Sequence, residues 1–187
     1  MFAFTDVDTY RTWLHVSAFF GICSYSHSED GNVFRHFPDV EGRNLAGEVV
    51  ELPAQLDKAH TLIIVAYKRW HQNLVDTWLP RLEVIEDARD DLAVLELPTI
   101  AKMNFVSKWW RYHGMRSGIT SERARARTVT LHLDKNEFNR HLGIGDEDNI
   151  HVFLVDQNGR IRWRTRGVWS EYKQLSLESR LRELTSS

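Results

Sequence analysis

The run TLIIVAYK, Thr61 to Lys68, limits more than any other feature what this chain can fold into. It is continuously apolar and β-branched, the pattern of a strand covered on both faces rather than one. Such a strand belongs at the centre of a sheet flanked by helices. From His71 to Ala88, the residues Leu74, Val75, Trp78, Leu82, Ile85 and Ala88 recur at steps of three and four. That spacing predicts a helix with one core face, kinked at Pro80. DLAVLELPTI, Asp91 to Ile100, reads as a second buried strand, so strand, helix and strand follow at the spacing of a βαβ unit and imply a parallel pair.

The same reading extends along the chain. FPDVEGRNLAGEVVELP, from Phe37, has apolar residues around an Ala46-Gly47 break and predicts a short hairpin. TVTLHL, from Thr128, alternates like a strand; Asp134 is placed to cap a helix that KNEFNRHLGI fills up to Gly143 or Gly145. IHVFLVD and RIRWRTR flank QNG, where Asn158-Gly159 supplies the positive φ angles of a tight turn. A last helix starts at Ser170, with Tyr172, Leu175, Leu177, Leu181 and Leu184 as its main apolar positions. Residues 1–36, ending in a polar loop with Gly31, form an N-terminal extension; residues 37–187 form one α/β domain, interrupted by an insertion at about 101–127.

A length of 187 residues with 42% hydrophobic content provides one full core and is short for two domains. The formal charge of −2 gives no global preference for nucleic acid or membrane, so any charge signal is local. The apolar run Trp13 to Cys23 contains His15 and is shorter than the roughly 20 residues that span a bilayer. Asp6 and Asp8 ahead of it argue against a secretory signal or an unprocessed transit peptide, and the expected setting is cytoplasmic or the mitochondrial matrix, with peripheral membrane contact compatible. Cys23 stands alone, which excludes an intramolecular disulfide, a CxxC pair and a cysteine-rich zinc site within this chain. No phosphate loop, nucleophile elbow or dinucleotide fingerprint is present.

The order of these elements resembles that of thioredoxin-like proteins of the peroxiredoxin and TlpA type. The segment TVTLHLDKNEFNRHLGI followed by NIHVFLVDQNGRIRWRTRG looks like the second half of that fold, with its D-x-x-G-x-I turn. A closer similarity is to the mitochondrial ATP synthase assembly factors that help build the proton-channel sector. Their signature resembles V-x-L-V-D … I-R-W, matched here by Val152, Leu154, Val155, Asp156, Ile161, Arg162 and Trp163, and KWWRYHGMRSGI resembles their aromatic-basic insertion. The resemblance covers roughly Phe37 to Leu184 and implies a thioredoxin-like fold and a protein partner in complex assembly. It also marks departures. Where active members carry a cysteine after the first central strand, this chain reads KRWHQNLV, and no proline stands near Asn149, where a cis-proline is usual. Thiol chemistry at that site therefore lacks its nucleophile.

Three constellations are open to a functional reading. Lys68, Arg69, Trp70 and His71 occupy the degenerate active-site position, either as a contact for an anion or peptide or as a solvated helix start. Lys102, Lys108, Arg111, Arg116, Arg123, Arg125 and Arg127, with Trp109, Trp110 and Tyr112 among them and Glu122 the single acid, make the insertion a partner surface. Arg160, Arg162, Arg164 and Arg166 fall at period two on one face of the last strand, opposite Ile161, Trp163 and Thr165, and serve as solvated edge charges or as a continuation of that surface. The nine histidines carry no metal motif, and no metal or other cofactor is expected. The leading expectation is a non-redox, thioredoxin-like binding or assembly protein. The alternatives are a divergent oxidoreductase or metal-binding protein built on Cys23 or the histidines, and nucleic-acid binding through the arginine stripe.

Overall fold

The computed structural model describes residues 36–99 and 126–186. These residues run β1 (Val40–Asn44), β2 (Val49–Leu52), β3 (His60–Ala66), a 3-10 turn (Arg69–His71), α1 (Gln72–Val75), α2 (Leu79–Asp87), β4 (Leu92–Pro98), β5 (Val129–Leu131), α3 (Lys135–Leu142), β6 (His151–Asp156), β7 (Ile161–Arg166) and α4 (Glu171–Thr185). The apolar run from Thr61 forms β3, at the centre. It pairs in parallel with β4 from His60↔Leu92 to Ala66↔Pro98, and antiparallel with β6 from His60↔Asp156 to Val65↔His151. The four-stranded sheet is mixed, in the order β4-β3-β6-β7.

Both faces of β3 are covered, as its unbroken apolar run requires. Ile63 and Val65 join Phe138 and Leu142 of α3 and Phe153 of β6 in one core cluster; Leu62, Ile64 and Ala66 join Val75, Trp78, Leu82, Leu177 and Leu181 in another, under α1, α2 and α4. Full burial of each aliphatic side chain is worth about 1.5–3 kcal/mol, so these two clusters provide the main driving force. A second sheet, β2-β1-β5, closes the first face. Gly42 makes that pairing possible, because a Cβ there would lie 2.4 Å from Val129 Cγ1. Two parallel bridges, Glu96↔Thr128 and Thr99↔Leu131, tie β5 to the outer edge of β4. The stretch between residues 99 and 126 therefore leaves and re-enters the fold at one sheet edge.

Three local expectations are corrected. The helix over His71 to Ala88 is not one kinked helix but two, α1 and α2, with Pro80 in the first turn of α2. Proline lacks the N–H that a helix interior needs and its ring collides with the preceding turn, whereas the first turn has no use for that N–H. Ala88 becomes the exposed C-cap of α2. On α4, Leu177 and Leu181 are buried while Tyr172 and Leu175 are 78% and 56% exposed. The core stripe follows the steps Leu177, Leu181 and Leu184, and positions two and five residues before Leu177 fall on the opposite side.

The third correction concerns β7. Leu154 pairs with Trp163 but Val155 pairs with Ile161, so Arg162 is the extra residue of a β-bulge. Ile161 packs with Val155 against the α3 cluster, and Trp163 packs with Leu154 against the α4 cluster. They do not share a face, and the arginines do not form an unbroken stripe. Arg164 and Arg166 stand opposite Phe153 and His151, on the α3 side of the sheet.

Candidate functional site

The degenerate active-site position lies where β3 ends. At that point the Tyr67 N–H has no strand partner, and it donates to Nδ1 of His71 at 3.2 Å. His71 is fully buried, with the half-exposed ring of Trp70 edge-on at 4.4 Å, so the solvated reading does not apply to it. Because Nδ1 accepts, the neutral imidazole carries its proton on Nε2. That Nε2 is buried without a partner, and in the same turn so is Oε1 of Gln72, whose Nε2 donates to Asp76. Burial first, then the charge of Lys68, pushes the His71 pKa down to about 4, so the ring is neutral at physiological pH.

Facing this turn is the loop from Gly143 to Ile150, anchored by the buried Ile144 and Ile150. Its run Asp146-Glu147-Asp148 meets a cation from a different element at each position. Asp146 Oδ2 accepts from Arg166 Nη1 of β7 at 3.0 Å, Glu147 Oε2 from Lys135 Nζ of α3 at 2.5 Å, and Asp148 Oδ1 from Lys68 Nζ. His151 Nε2 donates to the Asp146 carbonyl at 3.0 Å, since a carbonyl can only accept. The Asp148 N–H holds the Asp146 carboxyl below the usual carboxylate range, and burial lowers the His151 pKa. Tyr67 completes the cluster. Its hydroxyl donates to Asn139 Oδ1 and Asn139 Nδ2 donates to Glu147, while burial and then Glu147 raise the phenol pKa. The acidic run went unread in the sequence, although G-D-E-D-N just before a strand was the available signal.

The proposed partner residues are distributed unevenly. Lys108, Trp109, Trp110, Arg111 and Arg116 lie outside the described residues. Arg160 is exposed at the start of the last strand, where it bridges His36. Arg162 donates from Nε to Asp156 Oδ2 at 2.8 Å, and Arg164 from Nη1 to the Leu142 carbonyl at the end of α3, at 3.3 Å. Three of the four arginines thus serve contacts inside the fold. At the point where the insertion returns, Arg127 is bound by Glu96 Oε1 at 3.1 Å and Glu83 Oε1 at 3.0 Å. Among the described residues no three His, Cys, Asp or Glu side chains are arranged to hold a metal ion, and no helix is long and apolar enough to cross a membrane.

Comparison with known proteins agrees with this architecture. No curated protein sequence matches the chain. Among solved structures, the thiol-disulfide oxidoreductase of Bacteroides fragilis superposes with a TM-score of 0.52 at 15% identity, over 80% of this chain and 99% of that one. A protein of Chlorobium tepidum described as the thiol:disulfide interchange protein DsbE gives 0.53 at 17% identity, over 79% and 93%. A protein of Aquifex aeolicus described as an electron transfer protein gives 0.58 at 12% identity, over 80% and 96%. At these identities the likeness establishes the thioredoxin-like fold and nothing about activity. The profile of the ATP10 protein family matches residues 31–184, spanning the hairpin signature, the insertion and both sheets, and the chain therefore belongs to the ATP10 family of ATP synthase assembly factors.

Proposed function

We propose that this chain is a non-redox, thioredoxin-like binding protein that acts, in a chaperone-like way, on a protein partner during assembly of ATP synthase. The observation that carries the reading is the turn after β3. It keeps the framework of a thioredoxin-like active site, yet reads Lys68-Arg69-Trp70-His71-Gln72-Asn73, with no thiol to exchange. A scaffold stripped of its nucleophile retains its surfaces, and here the surface signal is basic and aromatic. Lys108, Trp109, Trp110, Arg111 and Arg116 sit in a stretch whose two ends are pinned to one sheet edge, and Arg160 is exposed at the opposite edge strand. Tryptophan and arginine are the residue types that concentrate binding energy at protein interfaces. The setting consistent with this role is cytoplasmic or the mitochondrial matrix, with peripheral contact to a membrane complex.

The test is affinity capture with the intact chain against a variant carrying Lys108→Gln, Arg111→Gln, Arg116→Gln and Arg160→Gln. Arg162 and Arg164 are left in place because they bond within the fold. The expected result is recovery of an ATP synthase subunit by the intact chain and its loss by the variant, with Cys23→Ser capturing normally. Recovery of no such subunit, or thiol-disulfide turnover that disappears in Cys23→Ser, overturns the reading.

A further inference from the structure

We propose that the end of β3 is a carboxylate-binding site for an acidic segment of a protein partner, with Lys68 and the Nε2–H of His71 as its donors and Asp148 as an internal occupant that the segment displaces. The inference rests on the reading of the chain as a partner-binding protein and names the chemistry of what it binds. Two independent observations converge on it. The first is a donor without an acceptor. His71 is fully buried, its Nδ1 is committed to the Tyr67 N–H, and its Nε2–H is unpartnered. A buried donor left unmade is a standing cost that an incoming acceptor removes.

The second observation is that the cation nearest this donor, Lys68, already holds a carboxylate, and two further cations hold the carboxylates next to that one. The Trp70 ring links Lys68 to His71, meeting the His71 ring edge-on at 4.4 Å with Lys68 Nζ 5.9 Å from its own centroid. Lys68 grips Asp148, whose side chain is 75% exposed, and Lys135 and Arg166 grip the two preceding acids. The acidic run is thus a short acidic peptide, supplied by the chain itself, resting on three basic side chains from three elements. An ion pair as exposed as Lys68–Asp148 contributes little, so an external carboxylate competes for Lys68 at small cost. A Cβ at Gly145, beside the run, would meet nothing within 4 Å, so there is room next to the acids. Trp70, half exposed and with Lys68 Nζ 5.9 Å from its ring, supplies an apolar contact next to the charge.

The experiment is calorimetric titration of the full chain with an N-acetylated hexaglutamate peptide at low and physiological salt, comparing the parent with Asp148→Asn and Lys68→Gln. Both substituted side chains are exposed enough to leave the fold intact. Removing the internal competitor should tighten binding by about threefold or more, and removing Lys68 should weaken it by about tenfold. Addition of peptide to the parent should move the nitrogen resonance of His71 Nε2, a readout that general attraction to the insertion would leave still. Binding no tighter in Asp148→Asn, binding unchanged in Lys68→Gln, or binding lost only when Lys108, Arg111 and Arg116 are neutralised overturns the site. If partner capture survives such a result, the proposed function stands and this site alone fails.

Discussion

The protonation of His71 is coupled to folding because its imidazole accepts the Tyr67 N–H on the nitrogen that would have to take up the second proton. In the folded chain the imidazole stays neutral down to about pH 4, whereas in the unfolded chain it titrates at its ordinary value near 6.5. A depressed pKa in a base means stability that is fully present above the unfolded value and is lost as pH falls from there through the folded one. The loss by pH 4 should be about 3 kcal/mol for this residue. Urea unfolding at pH 7.5 and 4 measures the slope, and His71→Gln should flatten it by that amount. A His71 ring resonance that titrates near 6.5 in the folded chain would sink the assignment. Sequence reading placed His71 at the correct turn, but a histidine between Trp70 and Gln72 looks polar and solvated until packing encloses it. The donor left unpaired by that enclosure is the feature on which the proposed carboxylate site depends.

At the level of elements, the hairpin of β6 and β7 is organised by Asp156 more than by Asn158-Gly159. The buried Asp156 carboxylate accepts from the N–H groups of Asn158 and Arg160, both at 2.9 Å, and from Arg162. Gly159 is required for a separate reason: φ is +78, and a Cβ would lie 2.6 Å from Pro53 Cγ. Asp156→Asn keeps a turn acceptor and gives up the ion pair, whereas Asp156→Ala gives up both. We expect losses of about 1 kcal/mol and about 3 kcal/mol respectively by denaturant unfolding, and equal losses would show that the turn bonds carry no weight. The two strands of the hairpin and its D-x-x-G turn were legible, because a two-residue period and turn chemistry are local. The bulge at Arg162 was not. It arises from the pairing of two strands, and it moves Trp163 to the α4 face although period two places it beside Ile161. Pro80 is intermediate: its effect on a helix was foreseen, but not that it begins a second helix rather than kinking one.

For the molecule as a whole, the return of the insertion is anchored by charge. Glu96 is buried on β4, burial raises its pKa while Arg127 opposes that rise, and Arg127 is itself only 11% exposed between Glu96 and Glu83. Breaking such a pair from one side strands the other charge, so Arg127→Met should cost about 3–5 kcal/mol in unfolding free energy. The double variant Arg127→Met with Glu96→Leu should recover most of that loss, because the desolvated carboxylate goes with it. Recovery of nothing would show that Arg127 acts through packing alone. The contact also bears on function. It holds one end of the basic-aromatic stretch against the sheet edge that the other end leaves, so partner capture should weaken in Arg127→Met at temperatures where the chain is still folded.

What the amino-acid order determined alone is the alternation of elements and the centrality of β3, because periods of 2 and 3.6 and the turn residues act over a few positions. It also determined the missing thiol, which needs only the letters KRWHQNLV beside a strand. What only the tertiary structure decided is which charges face one another. Lys68 meets Asp148 across 80 positions, Arg127 meets Glu96 across 31, and Arg166 meets Asp146 across 20. Ion pairs depend on distance in space, and no local pattern encodes that distance; three of the four arginines read as a docking stripe are accordingly held by the fold, and the binding chemistry shifts toward the β3 end and the insertion.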